Sequence, residues 1–443
     1  MRLLWRARNS NGGDEVKQTE EWSYCDGNGG LEKKADWNRR ALLTAGFAGA
    51  LWMMSQRSAL AQASIQSDPK HDNVLVVIFL RGGCDGLNFL VPHGEDEYYK
   101  ARPTLAIGKP GKAGDAAVDL DGFFGLHPSL RPLESYFKEG DAAFVHAVGS
   151  WDQTRSHFEA MSAMERGLGS DLESGGGGWL GRHIANNPGR VSPVRAVSLS
   201  STMPDSLGGA IGALAIESLS EYKLVSQNSQ MMNLLSQFYR EDEDAIQRSG
   251  RDTLKVLQAL EKVNPKDYKP ENGANYPDKP LARSLREAAF LIKQDLGLEV
   301  ACLDMGGWDT HVAQGGSQGW HATLLSELGD AVDAFMKDLG RRREKVTVVI
   351  QTEFGRRIDE NSGFGTDHGR AGVMAVLGGG VKGNKVYGQW PTLSASKREG
   401  PGDLKVTTDY RDVLTEVLSS RLISNNIGAV FPGLSHKPIG LMA

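Results

Sequence analysis

The chain has 443 residues, 40% hydrophobic and 24% charged, which is enough for one large α/β domain or two to three smaller ones and excludes collagenous or broadly disordered chains. Its net charge of −5 lacks the basic excess of a nucleic-acid-binding protein, so no nucleic acid is expected as a partner. Three cysteines without a CxxC pair cannot build a disulfide framework or zinc ribbon, and no apolar run reaches the ~18 residues of a spanning helix.

Residues 1–63 read as a leader outside the fold. Trp37, Asn38 and the pair Arg39-Arg40 precede a weakly apolar run from Ala41 to Met54; Arg57 follows, and then an A-x-A site at Ala59-Leu60-Ala61. Paired arginines, a modest apolar stretch and small residues at a cleavage site make a twin-arginine (Tat) export signal. The Tat machinery is therefore an expected partner, the expected destination is periplasmic or extracellular, and the mature chain carries no stable membrane span. The polar, aperiodic segment ahead of Arg39 is odd for such a signal and suggests a true start further down, near Leu31.

From residue 64 on, short β-branched runs alternate with helical patterns. Strands are expected at Val74–Leu80, Ala142–Val148, Val194–Leu199, Glu299–Leu303, Val346–Gln351 and Val373–Leu377. These runs are continuously apolar, as strands covered on both faces must be. The clearest helix runs from His321 to Leu339, where Leu324, Leu325, Leu328, Val332, Phe335, Met336 and Leu339 share one face. The alternation predicts an α/β fold with a mostly parallel sheet sandwiched by helices, its chemistry beyond the carboxyl ends of the strands. Residues 217–296 break the rhythm with polar helical stretches (Leu224 to Tyr239, Ala245 to Val263, Leu281 to Leu296), read as a helical insertion or cap.

The chemistry-bearing residues recur at these strand ends. Arg81-Gly82-Gly83-Cys84-Asp85-Gly86-Leu87-Asn88 follows the first strand. After the second come Thr154, Arg155, Ser156, His157, Phe158 and Glu159, which spell a capping box from Ser156 to Glu159 and equally a nucleophile at a positive helix end, with Thr154 as its substitute. Phe158, Met161 and Met164 give that helix an apolar edge. Asp304, Asp309 and His311 crowd the Gly-rich turn after Leu303, a pattern suited to a metal. Glu353 follows the strand Val346–Gln351, and Asp367-His368 precedes the last strand. Cys84 and Cys302 are expected as buried free thiols, with an oxidised pair as the alternative.

This order of motifs resembles the alkaline-phosphatase-like superfamily, which includes sulfatases and phosphomutases. The stretches Arg81 to Asn88, Arg155-Ser156-His157-Phe158, Gly306-Gly307-Trp308-Asp309-Thr310-His311, Thr352-Glu353-Phe354-Gly355-Arg356 and Thr366-Asp367-His368-Gly369 further resemble the Tat-exported family named domain of unknown function 1501. The resemblance implies one or two divalent metal ions (Zn, Mn, Ca or Mg) near a nucleophile. It assigns Asp85 to the metal, Ser156 to the nucleophile, Asp309, His311 and His368 to one metal site, and Glu353 to a second. Phe354 stands where that second site is expected to have a histidine, leaving His157, Asn88 or Asp367 to complete it. Neither Cys84 nor Cys302 nor Ser156 sits in the C/S-x-P-x-R context of a formylglycine sulfatase.

The expected activity is hydrolysis of an anionic phosphate or sulfate ester, with Ser156, His157 and Arg155 catalytic. Arg155, Arg81 or Arg356 would hold the anionic oxygens. The alternative is a non-catalytic exported binding or assembly protein that keeps the fold.

Overall fold

A computed structural model of the protein describes residues 72–443 apart from 113, 170–175, 188–191, 193, 211 and most of 220–264. The leader over residues 1–63 and the helical stretches Leu224 to Tyr239 and Ala245 to Val263 lie wholly or almost wholly outside the described residues. The principal elements, in chain order, are β1 (Val74–Leu80), β2 (Ala142–Gly149), α1 (His157–Glu165), α2 (Trp179–Asn186), β3 (Ala196–Ser198), β4 (Leu214–Ala215), α3 (Pro280–Lys293), β5 (Val300–Met305), α4 (Trp320–Leu339), β6 (Val346–Thr352), β7 (Gly372–Gly378), β8 (Lys385–Tyr387), β9 (Thr408–Asp409) and α5 (Tyr410–Arg421).

The strands form one sheet in the order β8-β2-β7-β6-β1-β5-β3-β4, with β9 pairing beside β2. β1 lies at its centre, parallel to β5 on one side and β6 on the other. Among the described strands of this sheet, β7 alone runs against its neighbours, antiparallel to β2 and β6. All six expected strands are present, each within three residues of its expected ends.

The apolar run of β1 explains why a sheet forms here and why both faces are covered. Val74, Val76, Ile78 and Leu80 project to one side, into a core shared with α3 and α4. Leu75, Val77 and Phe79 project to the other, against α2 and α5. Burying each such side chain fully stabilises the fold by about 1.5–3 kcal/mol.

α3 corrects the expectation of a cap. Leu281, Ala282, Leu285, Ala288 and Ala289 make a helical stripe that is buried in the core beside α4, so this part of 217–296 belongs to a helical layer of the domain. The turn-rich piece before it is fastened to α4. Tyr268 and Tyr276 donate their hydroxyls to Asp338 Oδ2 at 2.7 and 2.9 Å, and Lys293 Nζ meets Asp338 Oδ1 at 2.6 Å.

The two described cysteines are free and buried. Cys84 packs with the α3/α4 core and Cys302 with the α2/α5 core, so the sheet separates them although their strands are neighbours. Among the described residues no helix is long and apolar enough to cross a membrane.

The topology brings the chemistry together. The carboxyl ends of β1, β2, β5 and β6 and the amino end of antiparallel β7 all open on the same edge of the sheet. The segments carrying Asp85, Ser156, Asp309, Glu353 and His368 leave or enter the sheet at that edge.

Candidate metal centre

His157 begins α1, with Ser156 as the N-cap residue. The expected capping box does not form. Ser156 makes no side-chain capping bond, and Glu159 instead accepts from Thr154 Oγ1 at 2.6 Å, while the Ser156 amide donates to the same Thr154 oxygen at 3.2 Å. Phe158, expected on the apolar edge, points outward and is 84% exposed; Met164 is buried.

Four side chains from three segments converge at the sheet edge. His157, Asp309 and His368 present ligand atoms that lie within 4.8 Å of one another. Asp309 Oδ1 is 3.4 Å from His157 Nε2, 3.1 Å from His311 Nε2 and 3.1 Å from His368 Nε2. The His311 and His368 Nε2 atoms are themselves 2.9 Å apart.

The far nitrogen of each imidazole faces an acceptor. His157 Nδ1 is 2.7 Å from Glu353 Oε1, His368 Nδ1 is 2.8 Å from the Arg155 carbonyl, and His311 Nδ1 is 3.4 Å from Asp367 Oδ1. An acceptor at Nδ1 calls for the proton there, which leaves the Nε2 lone pair of each neutral ring facing inward. With that tautomer on all three rings, three lone pairs and Asp309 Oδ1 face one another, and Arg356 Nη2 donates to Asp309 Oδ1 from outside the group at 2.7 Å.

That arrangement is repulsive without a cation and is the tautomer pattern of metal-bound histidines backed by outer acceptors. The buried His157 Nε2 has no hydrogen-bond partner. Tetrahedral ligands at about 2.0–2.1 Å from a zinc ion stand roughly 3.3 Å apart, near the separations found here. His157, Asp309 and His368 therefore fit a single divalent metal, with His311 beside Asp309 and His368.

The electrostatics favour the metal-binding forms at Asp309 and His368 and the protonated ring at His157. Hydrogen bonding to Glu353 raises the His157 pKa above the ordinary histidine value, while burial lowers that of His368. At Asp309 burial pushes the pKa up, but the Arg356 guanidinium and the neighbouring His368 and His311 rings outweigh it and hold the carboxyl at about 2. Asp309 is thus a carboxylate at any physiological pH. Phe354 packs its ring against His157 and His368, with centroids 4.8 and 4.9 Å away, and closes one side of the group.

The residues expected from the sequence separate into candidate ligands and the side chains behind them. Asp309, His311 and His368 come together, and His157 joins them. Glu353, expected as a ligand, stands behind His157. It also accepts from the Gly82 amide at 2.8 Å and from Thr352 Oγ1 at 3.1 Å, so its oxygens orient the ring.

Asp85 is not in this group. It is fully buried, caps the short turn Gly86–Phe89, and is clamped by Arg102 at 2.5 and 3.0 Å and by Gln314 Nε2 at 2.6 Å. Burial opposes its ionisation, yet Arg102 prevails and keeps its pKa below the usual carboxylate range. Nothing near Asp85 in the sequence announces this pairing, because Arg102 lies in the following connection and meets Asp85 only through the fold.

The arginines are also redistributed. Arg356, expected as a substrate clamp, is 1% exposed and gives its donors to the carbonyls of Gly83, Thr366, Trp308 and Gly82 and to Asp309 Oδ1 at 2.7 Å. Arg81 pairs with Glu165 and Asp304. Arg155 pairs with buried Asp403 and serves the centre through its carbonyl. Asn361, which the sequence did not single out, ties the His311 carbonyl to Asp367, each at 3.0 Å from its Nδ2.

Comparison with known proteins places these features in a family. No curated protein matches. Among solved structures, the C-terminal periplasmic domain of EcEptC from Escherichia coli, in complex with Zn, is 7% identical with a TM-score of 0.34, over 72% of this chain and 77% of that one. The phosphonate monoester hydrolase of Agrobacterium radiobacter is 10% identical with a TM-score of 0.30, over 82% of this chain and 78% of that one. Residues 72–411, which include every member of the histidine–aspartate group, match the family described as Protein of unknown function (DUF1501), and the chain belongs to it.

Proposed function

We propose that this protein is an exported, metal-dependent hydrolase of phosphate or sulfate esters, with one divalent ion held by His157, Asp309, His311 and His368. The observation that carries the reading is the set of three imidazoles whose outer nitrogens face Glu353, Asp367 and the Arg155 carbonyl. Three imidazoles and one carboxylate suit Zn²⁺ or Mn²⁺ better than Ca²⁺ or Mg²⁺, which take oxygen ligands. A second ion has no comparable support, since Asp85 is committed to Arg102 and Phe354 fills the neighbouring position.

When bound, the ion would supply Lewis-acid polarisation of the ester and lower the pKa of an oxygen nucleophile. The chain supplies the rest. Ser156 immediately precedes His157 at the start of α1, and its hydroxyl is not spent on capping. It would attack the phosphorus or sulfur and release the alcohol, and water would then free the acid from the serine. The first-turn amides of α1 favour the anionic group. Glu353, Asp367, Asn361 and Arg356 hold the ligands in place. Export through the Tat route, with a periplasmic or extracellular destination, rests on Arg39-Arg40 and the A-x-A site.

Turnover of aryl phosphate and aryl sulfate esters by protein loaded with Zn²⁺ or Mn²⁺ tests this reading. Activity is expected and should disappear in His311→Ala and Ser156→Ala; activity that survives either change overturns the site assignment. A folded, metal-loaded protein that turns over neither ester supports the alternative of an exported binding or assembly protein, which the burial of Asp85 against Arg102 favours.

A further inference from the structure

The large apolar side chains exposed among the described residues are Trp151, Phe158, Met203, Val312, Trp320 and Phe364. Single exposed apolar residues are ordinary and need no account. These are not scattered. Each follows the carboxyl end of β2, β3 or β5, or sits in the connection from β6 to antiparallel β7. They therefore share the sheet edge that carries the histidine–aspartate group.

Three of them neighbour the candidate ligands in the chain or in an adjoining loop. Phe158 follows His157 in the chain and is 84% exposed, and Val312 follows His311 and is 72% exposed. Phe364, 61% exposed, belongs to a loop laid on His311. Asn361 Nδ2 donates to the His311 carbonyl, Asn361 Oδ1 accepts from the amides of Gly363 and Gly365, and the Gln314 amide donates to the Phe364 carbonyl.

Phe364 also has φ +57°, the left-handed region that bulky residues rarely adopt. A fully bonded loop thus holds a large ring outward in a disfavoured conformation beside the ligands. Strain of this kind is retained where the surroundings over-determine it, most often at functional sites.

We infer that the preferred substrates are amphiphilic esters. The anionic head enters the His157/Asp309/His311/His368 group, and a large apolar alcohol portion, a long alkyl chain or fused aryl system, lies across Phe158, Val312 and Phe364. The inference rests on the reading of the group as an anionic-ester site and adds the class of alcohol. Exposed apolar side chains on the segments that carry a charged centre match a ligand with a charged head and an apolar body. Small hydrophilic esters would leave these side chains in water.

The test compares binding of inorganic phosphate, methyl phosphate and dodecyl phosphate (kept below its micelle concentration) to the full-length, Zn²⁺-loaded Ser156→Ala protein, which cannot turn the esters over, by calorimetry. The same titrations are run on the Phe158→Ser/Phe364→Ser double variant of that protein, with circular dichroism to confirm that it is folded. Dodecyl phosphate is expected to bind about tenfold or more tightly than methyl phosphate, and the double variant should lose that preference while binding inorganic phosphate unchanged.

Equal affinity for the methyl and dodecyl esters overturns the apolar-substrate inference and leaves the anionic site standing. Failure of all three ligands to bind overturns both. A preference that survives in the double variant removes Phe158 and Phe364 from the account. Sedimentation that shows a dimer dissociated by the same substitutions assigns the surface to a second copy instead. Trp151 and Trp320 inaccessible to acrylamide in the free protein, each assigned by comparison with its Phe variant, would mean that another part of the chain covers this edge; either result also overturns the proposal.

Discussion

His157 Nδ1 lies 2.7 Å from Glu353 Oε1, and this contact joins the start of α1 to the end of β6. Glu353 is 2% exposed and also bound to the Gly82 amide and to Thr352 Oγ1, so the imidazole is oriented by a carboxylate that has little freedom of its own. Glu353→Gln keeps the shape but weakens the acceptor. It should reduce metal affinity about 10–100-fold without unfolding the protein, as measured by competition with a chromophoric chelator. Unchanged affinity would remove His157 from the ligand set.

Asp85 and Arg102 make a buried ion pair with both partners fully enclosed. Asp85→Asn should cost about 3–5 kcal/mol of stability because it leaves the Arg102 charge uncompensated. Metal content should stay at the wild-type level in whatever fraction remains folded. Denaturant unfolding and elemental analysis of the same sample check both halves, and loss of metal from the folded variant would restore Asp85 as a ligand.

Glu299 sets an acid limit on the fold. Burial pushes its pKa up, but hydrogen bonds from His183 and Arg195, at 2.9 and 2.6 Å, prevail and hold it at about 2. A carboxylate whose folded pKa lies below its unfolded value contributes stability that is present above the unfolded pKa, near 4.3, and lost as pH falls toward the folded one. Stability should therefore drop by on the order of 3 kcal/mol between about pH 5 and pH 2 through this residue. Denaturation curves across that range should show a shallower decline in Glu299→Gln.

Much of the fold is legible in the sequence because β1 is apolar throughout and β2, β5 and β6 are mostly so, which a doubly covered sheet requires. α3 was misread as a cap because its exposed face is charged, while the stripe from Leu281 to Ala289 that enters the core is narrow and rich in small residues. At the site, Asp309, His311 and His368 were visible as polar residues at strand ends. The division between ligands and supports was not. Glu353 and Asp85 look alike in sequence, each a carboxylate just past a buried strand; Glu353 meets His157 and Asp85 meets Arg102, and both partners come from distant segments.

Cys84 and Cys302 should be inert in the folded protein. Burial raises both thiol pKa values, and the sheet stands between them. Alkylation followed by peptide mass mapping should leave both unmodified under native conditions and label both after denaturation without reductant. Protection that requires reductant to remove would show a disulfide.

His157, Asp309, His311 and His368 are expected to hold one metal ion. Elemental analysis of the protein, purified without added metal and run beside His311→Ala, checks this most directly. About one ion of zinc or manganese per chain, lost in the folded variant, is the predicted result. A folded wild-type protein that carries no metal and takes up none on titration, or one that keeps its ion in His311→Ala, would contradict it.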